Sequence, residues 1–206
     1  MSARGRPAAA AARHAPHRVR IIGGAWKRTP LSVVDAPGLR PTPDRVRETL
    51  FNWLGRDVDG ARCLDLFAGT GALGLEAASR GAAEVWLVEP ERRARQAIED
   101  TLRRLEARQV RLLAEPAAMA LGRARRDGLL FDLVFLDPPF GQGWLERVLP
   151  ELAPVLAPGA RIYVESDREL DDAALGLLGP GFRVVRSERA GQVFYHLLLR
   201  SPVQED

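Results

Sequence analysis

Three glycines, Gly69, Gly71 and Gly74, stand at G-x-G-x-x-G spacing directly behind a short apolar run, Cys63-Leu64-Asp65-Leu66-Phe67. No other stretch constrains the fold as much, because this one needs a strand that ends in a tight turn and a helix that starts behind it. From residue 62 onward the same rhythm repeats. Hydrophobic periodicity predicts strands at 62–66, 84–88, 110–113, 131–136 and 160–164, and helices at 72–80, 91–106, 117–125, 144–153 and 171–178. The last two apolar runs, Phe182 to Val185 and Val193 to Leu199, are joined through Ala190-Gly191 without a helix. They read as a closing antiparallel hairpin. The expected class is α/β, a doubly wound, mostly parallel sheet with a reversed edge.

Upstream of this domain the chain changes character. Residues 1–17 are Ala, Arg and Pro without apolar periodicity and read as a disordered basic tail. Val19 to Ile22 and Leu31 to Val34 flank Gly23-Gly24 as a small N-terminal β-hairpin, placing Trp26, Lys27 and Arg28 near its tip. Residues 1–34 hold seven bases and no acid, which leaves 23 bases against 27 acids elsewhere. A basic arm on a mildly acidic body suits a polyanionic partner, although a solvating tail would look the same. Trp26 can stack on a nucleobase or pack against the domain. Thr42, Pro43 and Asp44 then form a helix start, with Thr42 as cap. The expected apolar stripe of that helix is Val46, Leu50, Trp53 and Leu54. The division is therefore tail 1–17, a basic hairpin 18–36 suited to nucleic acid, and main domain 37–206.

Two acids narrow the ligand. A pyrophosphate over the glycine loop would be repelled by Asp65, whereas a cofactor with a cationic amine and a sulfonium would be attracted. Glu89, ending the run Val85-Trp86-Leu87-Val88, stands where an acid hydrogen-bonds ribose hydroxyls. S-adenosyl-L-methionine satisfies both. A third acid opens the corner Asp137-Pro138-Pro139-Phe140, which closes the run Phe131 to Leu136. An exocyclic base amine is a poor nucleophile, and acceptors on its N–H groups aim its lone pair. Asp137 offers a carboxylate, Pro138 a carbonyl held by two fixed φ angles, and Phe140 a stacking face. Methyl transfer to an amine is the chemistry this implies. The chain has one cysteine, Cys63, inside an expected strand, and no metal cluster. No apolar run approaches the roughly 20 residues of a membrane span, and a reducing cytoplasmic setting fits. The Arg/Ala-rich start also resembles a transit peptide.

With these motifs placed, the chain resembles amino-methyltransferases of the Rossmann-like class (class I S-adenosylmethionine-dependent methyltransferases). More narrowly it resembles the RsmD family, through Arg20 to Gly24, Gly38 to Leu54, Asp65 to Ala77 and Tyr163-Val164-Glu165. That resemblance implies methylation of N2 of guanine 966 in 16S rRNA, within the small ribosomal subunit or its assembly intermediate. It implies Asp137, Pro138, Pro139 and Phe140 at the reaction, and cofactor contacts from Asp65, Phe67, Ala68, Gly69, Thr70, Gly71, Glu89 and the Ala117 amide. Arg40 and Thr42 would close over the methionine end, and Arg20, Trp26, Lys27, Arg28 and Arg45 would meet RNA. Arg47 can contact RNA as well, or pair on the helix face with Asp44. Pro116 departs from the family's Asn or Asp at that place, so one adenine contact is lost. Rival readings are an amino-methyltransferase of adenine or of protein glutamine, an NAD-dependent oxidoreductase, and a non-enzymatic RNA-binding protein.

Overall fold

The computed structural model describes residues 19–33, 42–178 and 181–200. The tail 1–17, Val34 of the hairpin and Arg40 lie outside the described residues. Strands β1 (Val19–Arg20) and β2 (Pro30–Leu31) pair antiparallel as the N-terminal hairpin. Helix α1 (Asp44–Leu54) follows. The main domain then runs β3 (Arg62–Asp65), α2 (Ala72–Ser79), β4 (Glu84–Val88), α3 (Arg92–Leu105), β5 (Val110–Leu113), α4 (Ala117–Arg126), β6 (Phe131–Leu136), α5 (Trp144–Leu152), β7 (Leu156–Ser166), α6 (Asp172–Leu178), β8 (Phe182–Ala190) and β9 (Val193–Arg200).

The seven-stranded sheet has the order β5-β4-β3-β6-β7-β9-β8. Strands β3 to β7 are mutually parallel, and β9 and β8 run antiparallel at the edge, as the sequence pattern predicts. Chain direction across the sheet reverses between β3 and β6. That reversal opens a crevice at their carboxyl ends, where sheets of this kind receive ligands.

Side-chain alternation sorts each strand into two cores. Cys63, Val85, Leu87, Leu133, Phe135 and Tyr163 face α1, α2 and α3. Leu64, Trp86, Val88, Val134, Leu136 and Ile162 face α4, α5 and α6. Cys63 is a buried core residue, and burial pushes its thiol pKa up.

Two strands are longer than their apolar runs. β7 begins at Leu156 rather than 160, because Leu156 pairs with Phe131 before a bulge absorbs Pro158-Gly159 and resets the ladder at Leu133 and Arg161. β8 continues through Arg186 to Ala190, since an edge strand keeps its ladder while carrying charged side chains to solvent.

The hairpin is fastened to the outer side of α2. Ile22 and Gly23 donate their N–H groups to the Glu76 carboxylate at 2.6 and 2.8 Å. Ser79 Oγ donates to the Gly23 carbonyl and accepts from the Trp26 N–H, at 2.6 and 2.9 Å. This covering explains why every residue of α2 is buried, Glu76 included. Arg47, one turn into α1, is also buried. It pairs with Asp44 at 2.6 Å and with Glu76 at 3.9 Å, and donates to the Arg20 carbonyl at 2.8 Å. Its role is to join α1, α2 and the hairpin, not to meet a partner. Burial is the leading influence on its pKa and lowers it.

Removing one partner from a buried ionic network leaves the others uncompensated. Glu76→Ala should therefore cost about 3 kcal/mol or more of unfolding free energy, read from urea denaturation. A loss below about 1 kcal/mol would mean that water replaces the carboxylate without penalty.

Candidate active site

The glycine loop leaves β3 after Asp65. Leu66 donates its N–H to the Phe135 carbonyl, and Ala68 donates to the Val88 carbonyl, so the loop is pinned between β6 and β4. Gly71 adopts φ 76° at the start of α2, a left-handed conformation that L side chains disfavour. At Gly74 a Cβ atom would stand 2.2 Å from Leu87 Cδ2 and 3.3 Å from Asp65 Cβ. A side chain here would have to displace the buried end of Leu87, so glycine lets α2 lie close to the sheet without that shift.

Asp65 is 1% exposed. Its Oδ2 accepts the Gly74 N–H at 3.0 Å, while Oδ1 is buried without a partner of sound hydrogen-bond geometry. Burial pushes its pKa up to about 7; the Gly74 N–H opposes this, the charge of Glu89 adds to it, and the Phe67 amide opposes it again. Glu89 is nearly buried too, and burial raises its pKa. Its Oε2 accepts the Gly69 N–H at 2.9 Å and its Oε1 the Glu91 N–H at 2.7 Å. A carboxylate offers about four lone-pair directions, so Glu89 shapes the loop and still has room for ligand hydroxyls.

Phe67 packs edge-to-face on Trp144, 5.4 Å between ring centroids. Ala117 is the first residue of α4, where a helix N–H has no intrahelical acceptor. Pro116 precedes it, exposed, and the neighbouring Glu115 is committed to a two-point pair with Arg123 at 2.8 and 2.9 Å.

The register of the sheet brings the remaining acids together. Asp65 pairs with Phe135, and Phe135 with Tyr163. Two residues further along, on the same face, stand Asp137 and Glu165. Thr42 enters from the segment before α1 and its Oγ1 reaches both, at 3.2 Å from Asp137 Oδ2 and 2.9 Å from Glu165 Oε1. Its hydroxyl does not cap α1: the Val46 and Arg47 N–H groups go to the Pro43 carbonyl, and Pro43 is the cap residue. The expected cap is thus corrected, because two carboxylates, Glu165 buried and Asp137 half-buried, outcompete a helix end for one hydroxyl.

Beside the corner lies a cleft of about 440 Å³, walled by Pro138, Pro139, Phe140, Trp144, Glu165 and Arg168. The Phe140 ring stands 39% exposed at its edge. Volume and lining suit one planar aromatic group.

The other expected residues divide. Lys27, Arg28 and Arg45 are exposed. Arg20 is exposed as well, with a 3.1 Å contact to Asp44. Trp26 is half-buried against the core, so packing describes it better than a free stacking platform. In α1 the buried stripe is Val46, Leu50, Phe51 and Leu54, while Trp53 is half-buried and stacks on Tyr195 at 5.4 Å. Among the described residues no group of His, Cys, Asp and Glu is arranged for a metal.

Comparison with known proteins places this geometry. The family model described as conserved hypothetical protein 95 matches residues 19–199. The chain belongs to this family, the RsmD family. Ribosomal RNA small subunit methyltransferase D of Escherichia coli (strain K12) is 45% identical over 185 residues, 89% of this chain and 90% of that protein. A solved structure from Escherichia coli, described as a methyltransferase, superposes with a TM-score of 0.75 at 40% identity, covering 89% of this chain and 98% of that one. A methyltransferase solved in complex with SAH shares the fold at 17% identity and a TM-score of 0.63, covering 79% of this chain and 50% of that one. The mostly parallel sheet, its reversed edge and the N-terminal hairpin are thus those of an RsmD family member.

A carboxyl whose folded pKa is raised stabilises the fold at low pH. For Asp65 that stability is complete below about pH 4 and lost as pH rises through about 7. Asp65→Asn should therefore narrow the stability difference between pH 5 and pH 8 by a few kcal/mol, at about 1.4 kcal/mol per pKa unit. Chemical denaturation of both proteins at the two pH values measures it. An unchanged difference would contradict a strained Asp65.

Proposed function

We propose that this protein transfers a methyl group from S-adenosyl-L-methionine to the exocyclic N2 of guanine 966 in 16S rRNA, in the small ribosomal subunit or its assembly intermediate. The carrying observation is the placement of Asp65 and Asp137 on neighbouring strands, on one face of the sheet, at its carboxyl edge. One acid suits a cationic cofactor end, and the other an amine. Family membership and the name of the Escherichia coli relative support ribosomal RNA as the substrate class.

The residues fit the cofactor. Asp65 Oδ1 is a buried acceptor with no donor of sound hydrogen-bond geometry, which an ammonium would supply and a pyrophosphate would not. Asp65, Glu89, the loop Phe67 to Gly71 and the Ala117 amide would hold it, with Thr42 close by. Bound there, S-adenosylmethionine contributes an activated methyl group on a sulfonium. The chain's part is to bind the base in the cleft, stack it on Phe140, and accept its amine hydrogens on Asp137 and the Pro138 carbonyl. This orientation aims the lone pair and excludes water, effects that outweigh acid–base chemistry when the donor is already activated.

The hairpin, residues 18–36, serves as the RNA-binding appendage through Arg20, Lys27 and Arg28. Arg45 lies beside it on α1, residues 1–17 add a basic tail, and residues 37–206 form the catalytic domain. The protein works in the cytoplasm. No helix among the described residues is long and apolar enough to cross a membrane.

Purified protein incubated with labelled cofactor and small subunits from a strain lacking this methylation tests the proposal. Label at N2 of guanine 966 is expected. Label on another base, or on protein, overturns the substrate. Asp137→Ala should lower kcat roughly a hundredfold or more and leave S-adenosylhomocysteine affinity nearly unchanged. Loss of that affinity would make Asp137 structural.

A further inference from the structure

Thr42 presents a counting problem. A hydroxyl carries one hydrogen, yet Thr42 Oγ1 lies within hydrogen-bond distance of two carboxyl oxygens, Asp137 Oδ2 at 3.2 Å and Glu165 Oε1 at 2.9 Å. With both acids ionised, one of these contacts would be oxygen against oxygen with no proton between. Tyr163 adds a donor on the far side, its hydroxyl 2.8 Å from Glu165 Oε1. Among the described residues neither carboxyl takes part in an ion pair. Both contacts become hydrogen bonds only if one acid holds a proton.

We propose that Asp137 and Glu165 share one proton through Thr42 Oγ1, and that Glu165 is a positioning residue that takes this proton so that Asp137 is ionised when the amine docks. In the empty site the proton rests on Asp137 Oδ2. Asp137 donates to Thr42, and Thr42 and Tyr163 both donate to Glu165. When an amine arrives, Asp137 Oδ2 passes its proton to Thr42 Oγ1, and Thr42 passes its own to Glu165 Oε1. Glu165 then donates to Thr42, Thr42 donates to Asp137 Oδ2, and the remaining Asp137 oxygen is a charged acceptor. No net charge moves into the buried site.

During transfer the nitrogen lone pair forms the new N–C bond, and the C–S bond breaks with its electrons left on sulfur. The nitrogen, now cationic, loses one proton to Asp137. Glu165 borders the same cleft as the corner, which gives the surplus proton a way out to water.

Two titratable groups face the pair, Asp65 from β3 and Tyr163 from β7, with Tyr195 of β9 behind Tyr163, and each acid faces the other. Burial raises both carboxyls above their ordinary values, and the charge of Glu165 raises Asp137 further. Two like acids in one site behave in this way, and their apparent pKa values belong to the pair.

The inference rests on the methyl-transfer reading for its purpose. Its proton count, however, is tested in the protein without substrate. Carboxyl ¹³C NMR of the free protein, titrated with acid and base, should show one of the two groups protonated well above the ordinary carboxylate range. In Glu165→Gln, an isosteric change that keeps a donor toward Thr42, the Asp137 signal should move to lower pH.

The kinetic counterpart uses the pH profile of kcat. The basic limb, where the shared proton is lost, should disappear in Glu165→Gln. Thr42→Val should lower kcat roughly tenfold or more, with a smaller change in KM. Two carboxyls titrating at ordinary values in the parent protein overturn the proposal, as does a basic limb unchanged in Glu165→Gln. A shared proton found in a protein that methylates no RNA would leave the count standing and remove its purpose.

Discussion

Three carboxyl groups end three adjacent parallel strands on one face of the sheet, with few donors between them. Asp65, Asp137 and Glu165 follow from strand register and side-chain alternation, and the packed core behind them fixes both. Burying like charges side by side is costly in a low-dielectric environment, and proteins avoid the cost by protonation or by a partner. Here burial raises the pKa of all three in the free protein, and on the proposed function a cationic ligand with an amine substrate would be the partner. The site is therefore unfavourable when empty in a way that favours what it is built to bind.

Glu76 shows the opposite solution within the same helix–strand unit. It is as deeply buried as Asp65, yet two backbone N–H groups, Arg80 and Arg47 surround it. That carboxylate has its donors from within the chain, and it fastens the N-terminal hairpin to α2. The glycine loop starts the same helix. A fully compensated acid thus holds the appendage on one side of α2, and an uncompensated one waits at the loop. The contrast separates a structural carboxylate from one that is open to a ligand.

Much of this was legible in the sequence, for physical reasons. The glycine spacing, the apolar runs and the terminal pair of runs identified the sheet and its reversed edge, since buried parallel strands need continuous apolar residues. Asp65, Glu89 and Asp137 were legible because they interrupt or end such runs. Thr42 was placed near the site but given a helix-capping role, because a local pattern cannot reveal a partner 95 residues away. Arg47 looked like a surface charge, since its acceptors come from the hairpin and α2. Glu165 entered only as part of a family signature. Its signal was available, because it ends a strand at the same parity as Tyr163, but the register that sets it level with Asp137 exists only in the folded sheet. The extents of β7 and β8 were missed where a bulge and an edge position release the strand from apolar periodicity.

On the proposed function, the Asp65 oxygen that has no donor of sound geometry receives a cationic cofactor end, with the methyl directed toward Asp137. A crystal structure of the protein with S-adenosylhomocysteine tests this most directly. The ammonium nitrogen should lie about 3 Å from Asp65 Oδ1, with the ribose hydroxyls at Glu89 and the sulfur facing the Asp137 corner. An ammonium group away from Asp65, or a ribose with no contact to Glu89, would contradict it.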